Sequence, residues 1–362
     1  MKIRKATDSS SPGSHGRLAP GAHIGLSFWV SIALASMALG VICIAALPRS
    51  QSAETSAHPM RKPPPYWAYA IDPPAGPSTD GTPPADKTPR HVPGSPAAFT
   101  LTQIADFFFA PDWHPQGHPV MPGVVAHGRT PDVFACGYCH LPNGQGRPEN
   151  SSLAGLPAGY IIQQVADFKN ALRTSSNPKR LPVALMIAVA RDANEIELRA
   201  AADYFSSLKP IPWIRVVETK SVPKMQVSGW MMVPSDAGGT ELLGRRIMET
   251  PENLEQTELR NDASGFIAYV PFGSINKGRT LVTTGGAGKT IQCATCHGPD
   301  LKGVGNVPSI AGRSPSYVVR QLYDIQSGDR AGATAQLMKP IVTALTLDDM
   351  ISIAAYTASL NP

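Results

Sequence analysis

Apolar and polar positions divide the 362-residue chain into stretches of different character. Ile24 to Leu47 run for 24 residues without a charged side chain, about 36 Å as a helix against a hydrocarbon core of roughly 30 Å. A cleaved signal peptide has a shorter apolar region, ~7 to 15 residues, and a shorter lead, so these lengths predict an uncleaved membrane anchor. Pro48 to Pro96 hold thirteen of the 36 prolines and few apolar residues outside Tyr66-Trp67-Ala68-Tyr69, the composition of an extended tether. Later in the chain the period becomes helical. Tyr160 to Phe168, Ser274 to Thr284 and Tyr317 to Ile325 each read as a helix, and Leu347, Met350, Ile351 and Ala354 give a last helix one buried face. Between Ile211 and Val270, Trp213–Val217, Met225–Val233 and Phe266–Val270 alternate or cluster like short strands, predicting a small β-rich insert.

Self-comparison arranges these elements. Residues Cys136 to Arg173 align without a gap on Cys293 to Arg330, an offset of 157, pairing Tyr160, Gln164, Asp167 and Arg173 with Tyr317, Gln321, Asp324 and Arg330. Met186 to Leu208 then align on Met338 to Leu360 at an offset of 152, so the first copy has five extra residues between its Arg and its Met. Each copy's last helix has a capping signal, Asn194 with Glu197 and Thr346 with Asp349. One difference stands out: Thr130-Pro131 interrupts the first copy where the second has its opening helix, and Leu101–Phe109 is a candidate substitute.

The candidate chemistry begins both repeats. Cys136-Gly137-Tyr138-Cys139-His140 and Cys293-Ala294-Thr295-Cys296-His297 are C-x-x-C-H runs, the attachment pattern of c-type haem. Two thiols three residues apart share one face of a helical turn and can each bond a haem vinyl, and the next residue can ligate iron. A single C-x-x-C would suit a redox dithiol or half a zinc site equally; two copies, each followed by His, favour two haems. The fifth cysteine, Cys43, lies in the apolar span, so no pair remains for a structural disulfide. Gly288-Lys289-Thr290 ends like a phosphate-binding loop, but Thr283 stands where its first Gly belongs.

Charge changes the picture in one respect. Net charge is +5, and residues 1–23 carry +3 of it through Lys2, Arg4, Lys5 and Arg17 against Asp8. The basic balance is therefore no sign of nucleic-acid binding. Those cations place the N-terminus in the cytoplasm and the haem runs in the periplasm, giving a single-pass protein of a bacterial inner membrane.

Each repeat resembles a class I cytochrome c domain, and the whole resembles a tandem di-haem cytochrome c. The resemblance implies a mainly α fold of two such domains, with Cys136, Cys139, Cys293 and Cys296 bonding two haem c groups. By the same resemblance, His140 with Met186 and His297 with Met338 are the axial iron ligands. A ligating His normally donates its Nδ1–H to a carbonyl; the resemblance assigns this to Pro308 in the second repeat, where the first has Ser151. The expected division is a cytoplasmic N-terminus 1–23, a transmembrane helix 24–47, a tether 48–97, a first cytochrome domain 98–209, a connector 210–272 and a second domain 273–362. Arg173 and Arg330 are candidate partners of haem propionates, and His114, His118 or His127 could replace Met186 at the first iron. The expected function is electron transfer between a donor and an acceptor redox protein. Alternatives are a haem subunit of a membrane dehydrogenase or oxidase complex, and a di-haem peroxidase.

Overall fold

The computed structural model describes residues 63–73 and 86–362. Residues 1–23 and the apolar stretch 24–47 lie outside the described residues. Among the described residues no helix is long and apolar enough to cross a membrane; the longest have 13 residues, about 20 Å against the roughly 30 Å a span requires. This finding contradicts the expected single-pass inner-membrane location, with the membrane as a partner.

Two helical repeats make up most of the described chain. The first has its haem run on the helical turn Cys136–His140, followed by Ala158–Lys169, Leu181–Asp192 and Glu195–Ser207. The second has Ser274–Thr284, the turn Ala294–His297, Pro315–Ser327, two short helices Ala333–Gln336 and Lys339–Thr343, and Leu347–Ala358. Both predicted capping boxes form: Asn194 and Thr346 accept from the backbone of Glu197 and Asp349, whose carboxylates accept in return from the cap backbone. In the second repeat Ser274–Thr284 crosses Leu347–Ala358 so closely that a Cβ on Gly278 would stand 1.9 Å from the Ser352 carbonyl oxygen. This contact buries Met350, Ile351 and Ala354 as expected, and Ile353 and Ala355 as well, because the helix is enclosed on several sides.

The first repeat builds its opening differently from either expectation. The four-residue helix Gly123–Ala126 puts Val124 and Val125 into the core of that repeat, beside Ala201, Ala202 and Phe205. Leu101–Phe109 does not substitute: only Leu101–Ala105 is helical, and Ile104 joins a separate cluster with Val92, Trp113 and Leu259. Helices carry or adjoin both methionines. Leu181–Asp192 is a continuous helix, since Pro182 falls in its first turn, where a missing N–H costs nothing, and helix-compatible apolar residues follow. Pro340 likewise sits in the first turn of Lys339–Thr343 and starts a helix.

The connector is β-rich as predicted. Ile214–Thr219 pairs in parallel with Phe266–Pro271, which pairs antiparallel with Met248–Pro251. The stretch Met225–Val233 is two strands, Met225–Ser228 and Met231–Pro234, because Gly229 and Trp230 both take positive φ and turn the chain in a two-residue hairpin. The connector's Val222, Leu243, Ile247 and Met248 are continuous with the core of the second repeat. Residues 67–70 belong to the same core, so this part of the Pro-rich stretch is not a free tether. Trp67, Ala68, Tyr69 and Ala70 are buried there, and the carbonyls of Ala68 and Ala70 accept from Arg320 and Arg180 at 2.8 and 3.1 Å. Four consecutive apolar or small residues with satisfied carbonyls can be buried despite the prolines around them.

Candidate haem sites

In the first repeat, one cavity is lined by Cys136, Cys139, His140 and Met186. The helical turn puts both thiols on one side, and the helix Leu181–Asp192 brings Met186 to them from 46 residues beyond His140. The walls are largely apolar, with Val124, Leu153, Ile161, Val189 and Phe205 among them. His140 Nδ1 lies 2.8 Å from the carbonyl oxygen of Ser151. A carbonyl can only accept, so Nδ1 bears the proton and the lone pair is left on Nε2. Burial pushes the imidazole below the ordinary histidine range, which keeps it neutral and able to ligate. Two thiols, a neutral imidazole with a free Nε2 and a thioether in one apolar cavity are the donor set that haem c requires.

The second repeat reproduces the histidine geometry. His297 is buried, its Nδ1 donates to the Pro308 carbonyl at 2.8 Å, and burial lowers its pKa too. Ser151 thus does for His140 what Pro308 does for His297, since the main-chain oxygen is the acceptor in both. Cys293 and Met338 pack against one core. Their setting is more open: Cys296 is exposed, and Ile291, Val304 and Leu337 beside the run and Met338 are 52%, 60% and 77% exposed.

None of the three upstream histidines lines the first cavity. His118 bonds Asp112 at 3.2 Å and the Tyr204 hydroxyl at 3.0 Å, His114 meets Asn261 at 3.2 Å, and His127 lies beside Phe109.

Arg173 and Arg330 meet between the repeats. Arg173 donates to Gln164 of its own repeat at 2.9 Å and to Tyr317 and Gln321 of the other at 3.1 and 3.0 Å. At the 157-residue offset, Arg330 donates to Gln321 at 3.1 Å and to Tyr160 and Gln164 at 2.9 and 2.8 Å. The flanking amides complete the pattern, Thr174 to the Asp329 carbonyl and Ala331 to the Leu172 carbonyl, at 2.6 and 2.7 Å. The repeats are therefore related by an approximate two-fold axis through this pair. Burial raises the Tyr317 phenol, but the charges of Arg173 and Arg330 outweigh it and hold the group below its ordinary range. Tyr317 and Arg173 also line the first cavity, so the interface and the haem site share walls.

The residues that sequence reasoning missed come from far along the chain. Arg180, Arg260 and Arg320 line the first cavity. Only spatial proximity identifies them; their spacing in the chain carries no signal.

No family model matches the chain. It is 25% identical over 232 residues to the thiosulfate dehydrogenase electron acceptor of Thiomonas intermedia, covering 63% of this chain and 80% of that protein. It is 35% identical over 75 residues to cytochrome c-554(548) of Halomonas halodenitrificans, covering 20% of this chain and 90% of that protein. Among solved structures, thiosulfate dehydrogenase TsdBA of Marichromatium purpuratum aligns with TM-score 0.43 and 24% identity over 64% of this chain and 38% of that one, so this chain spans well under half of it. The first of these relatives is named as an electron acceptor and the second as a cytochrome. With the attachment run present twice and a cytochrome matched over nearly its whole length, the chain belongs to the c-type cytochromes, which hold haem c covalently.

Proposed function

We propose that the protein is a one-electron carrier with two covalently bound haem c groups, one per repeat, and that each iron lies between a His and a Met: His140 and Met186, His297 and Met338. The observation that carries this reading is the cavity where Cys136, Cys139, His140 and Met186 converge. Haem c, when bound, supplies the one-electron couple of its iron, and a Met ligand favours the ferrous state. The chain's own residues do the rest. The Ser151 and Pro308 carbonyls fix the histidine tautomers, and the apolar walls exclude water from the first site. The Arg173–Arg330 interface holds the repeats in one arrangement, so an electron accepted at one site has a fixed path to the other. The relative from Thiomonas intermedia is named for accepting electrons from a dehydrogenase; a dehydrogenase protein is the donor class proposed here, with a second redox protein as acceptor.

The test is ligand replacement. With both irons six-coordinate, the reduced wild-type protein should bind carbon monoxide poorly and turn over peroxide negligibly. Met186→Ala and Met338→Ala should each remove the far-red absorbance of one ferric His/Met haem and open that haem to carbon monoxide. Carbon monoxide binding by the wild type, or an unchanged spectrum in either variant, would overturn the corresponding ligand assignment and favour peroxidase chemistry.

A further inference from the structure

Two connector residues reach the first haem site from backbone positions where glycine is the usual occupant. Trp230 is the second residue of the hairpin loop Gly229-Trp230, with φ of 60°; a loop of this type demands positive φ at both positions and favours Gly at the second. Arg260, with φ of 55°, follows the helix Leu254–Glu258. The amide of Arg260 bonds the Thr257 carbonyl and that of Asn261 the Gln256 carbonyl, the helix-ending motif whose left-handed residue is normally Gly. Both side chains nevertheless line the first cavity. A bulky residue kept in left-handed backbone by its surroundings is a mark of a site where the side chain has a use.

Their contacts indicate that use. The Arg260 guanidinium lies 3.6 Å from the ring centroid of Tyr138, inside the haem run, and donates to the Tyr138 carbonyl at 2.9 Å. The hairpin is held in place from two sides, as the Trp230 amide donates to Asp72 at 3.2 Å and Met231 sulfur accepts from Arg147 at 3.2 Å. The second repeat lacks the counterpart of this arrangement. Thr295 stands where Tyr138 does and Val304 where Arg147 does, both exposed, as is Cys296.

We propose that Trp230 and Arg260 seal the Cys139 edge of the first haem and hold its reduction potential above the value that site would have without them. Ferric haem carries one more positive charge than ferrous. An adjacent cation and the exclusion of water therefore both favour the ferrous form and raise the potential. The proposal rests on the reading that each repeat holds a haem.

Equilibrium spectroelectrochemical titration of the full chain tests it. Glycine fits both backbone positions, so Trp230→Gly and Arg260→Gly should still fold, the relaxed backbone offsetting part of the contacts that each side chain loses. Each should move one of two one-electron components to lower potential and leave the other in place, splitting the components if the wild-type values coincide. Arg260→Lys retains the cation and should move that component less than Arg260→Gly does. The component that moves must be the one that Met338→Ala leaves untouched. Two haems whose components stay fixed in both glycine variants, or shift together, would overturn the sealing role; so would movement of the second haem alone. A haem count of one per chain would instead overturn the two-haem reading, so the two failures are distinguishable.

Discussion

At the scale of single residues, the attachment runs combine two requirements that do not depend on the rest of the fold. The thiols must share one face of a turn, and the histidine must offer Nε2. The runs themselves meet the first requirement, and a main-chain carbonyl eleven residues beyond each histidine meets the second. Replacing Pro308 by Ser151 in the other repeat changes neither the acceptor atom nor the 2.8 Å distance. In the two-haem reading proposed above, each run attaches its own haem. Replacing Cys293 and Cys296 together by Ala should therefore halve the covalently bound haem, from two per chain to one, as read from a denaturing gel stained for haem. Two remaining equivalents would show that the second run is not an attachment site.

At the scale of elements, the helix crossing in the second repeat is set by one missing side chain. A Cβ at position 278 would meet backbone oxygen at 1.9 Å, and backbone cannot rotate away as a flexible side chain can. Gly278→Ala should force Ser274–Thr284 and Leu347–Ala358 apart and cost about 1–3 kcal/mol, measurable by urea denaturation. The cap of Leu347–Ala358 adds a pH dependence. Burial would raise the pKa of Asp349, but its bonds to Lys289, Thr346 and Lys277 outweigh that and hold it well below the ordinary 3.8. A carboxylate depressed on folding stabilises the folded state fully above its unfolded pKa, and the contribution is lost as pH falls through the folded value. Asp349→Asn should therefore cost roughly 1–3 kcal/mol at pH 7, and the gap from wild type should narrow as pH falls below about 4. A constant gap between pH 7 and pH 3 would show that the charge is not what stabilises the cap.

At the scale of the whole molecule, the 157-residue offset appears in space as an approximate two-fold arrangement in which each arginine serves both repeats. Both arginines are at least nine-tenths buried, and Gln164 and Gln321 each accept from both, so removing one guanidinium takes away one of the two charged donors at each of these acceptors. Arg173→Leu should destabilise the protein by about 1.5–3 kcal/mol per charged bond left unmade. In a double-mutant cycle with Gln321→Leu the coupling should exceed about 0.5 kcal/mol, while a cycle pairing Arg173→Leu with the Gly278→Ala change should be additive. Additivity in the first cycle would show that the arginine does not couple the repeats.

The amino-acid sequence by itself determined the haem runs, the repeat, the capped last helices and the β-rich character of the connector. Each is local chemistry or a local period, carried within a few residues or copied at a constant offset. Tertiary structure alone decided how Trp67 to Ala70 become core within a Pro-rich stretch, and how Trp230 and Arg260 reach the first site. Tyr138 and Arg260 are 122 positions apart and meet only because the segment around Arg260 docks on the first repeat, where Trp113, Asn143 and Gln145 bond the carbonyls of Leu259, Asp262 and Ser264. Such a meeting depends on the direction of whole elements. No period or motif in the chain encodes that direction one residue at a time.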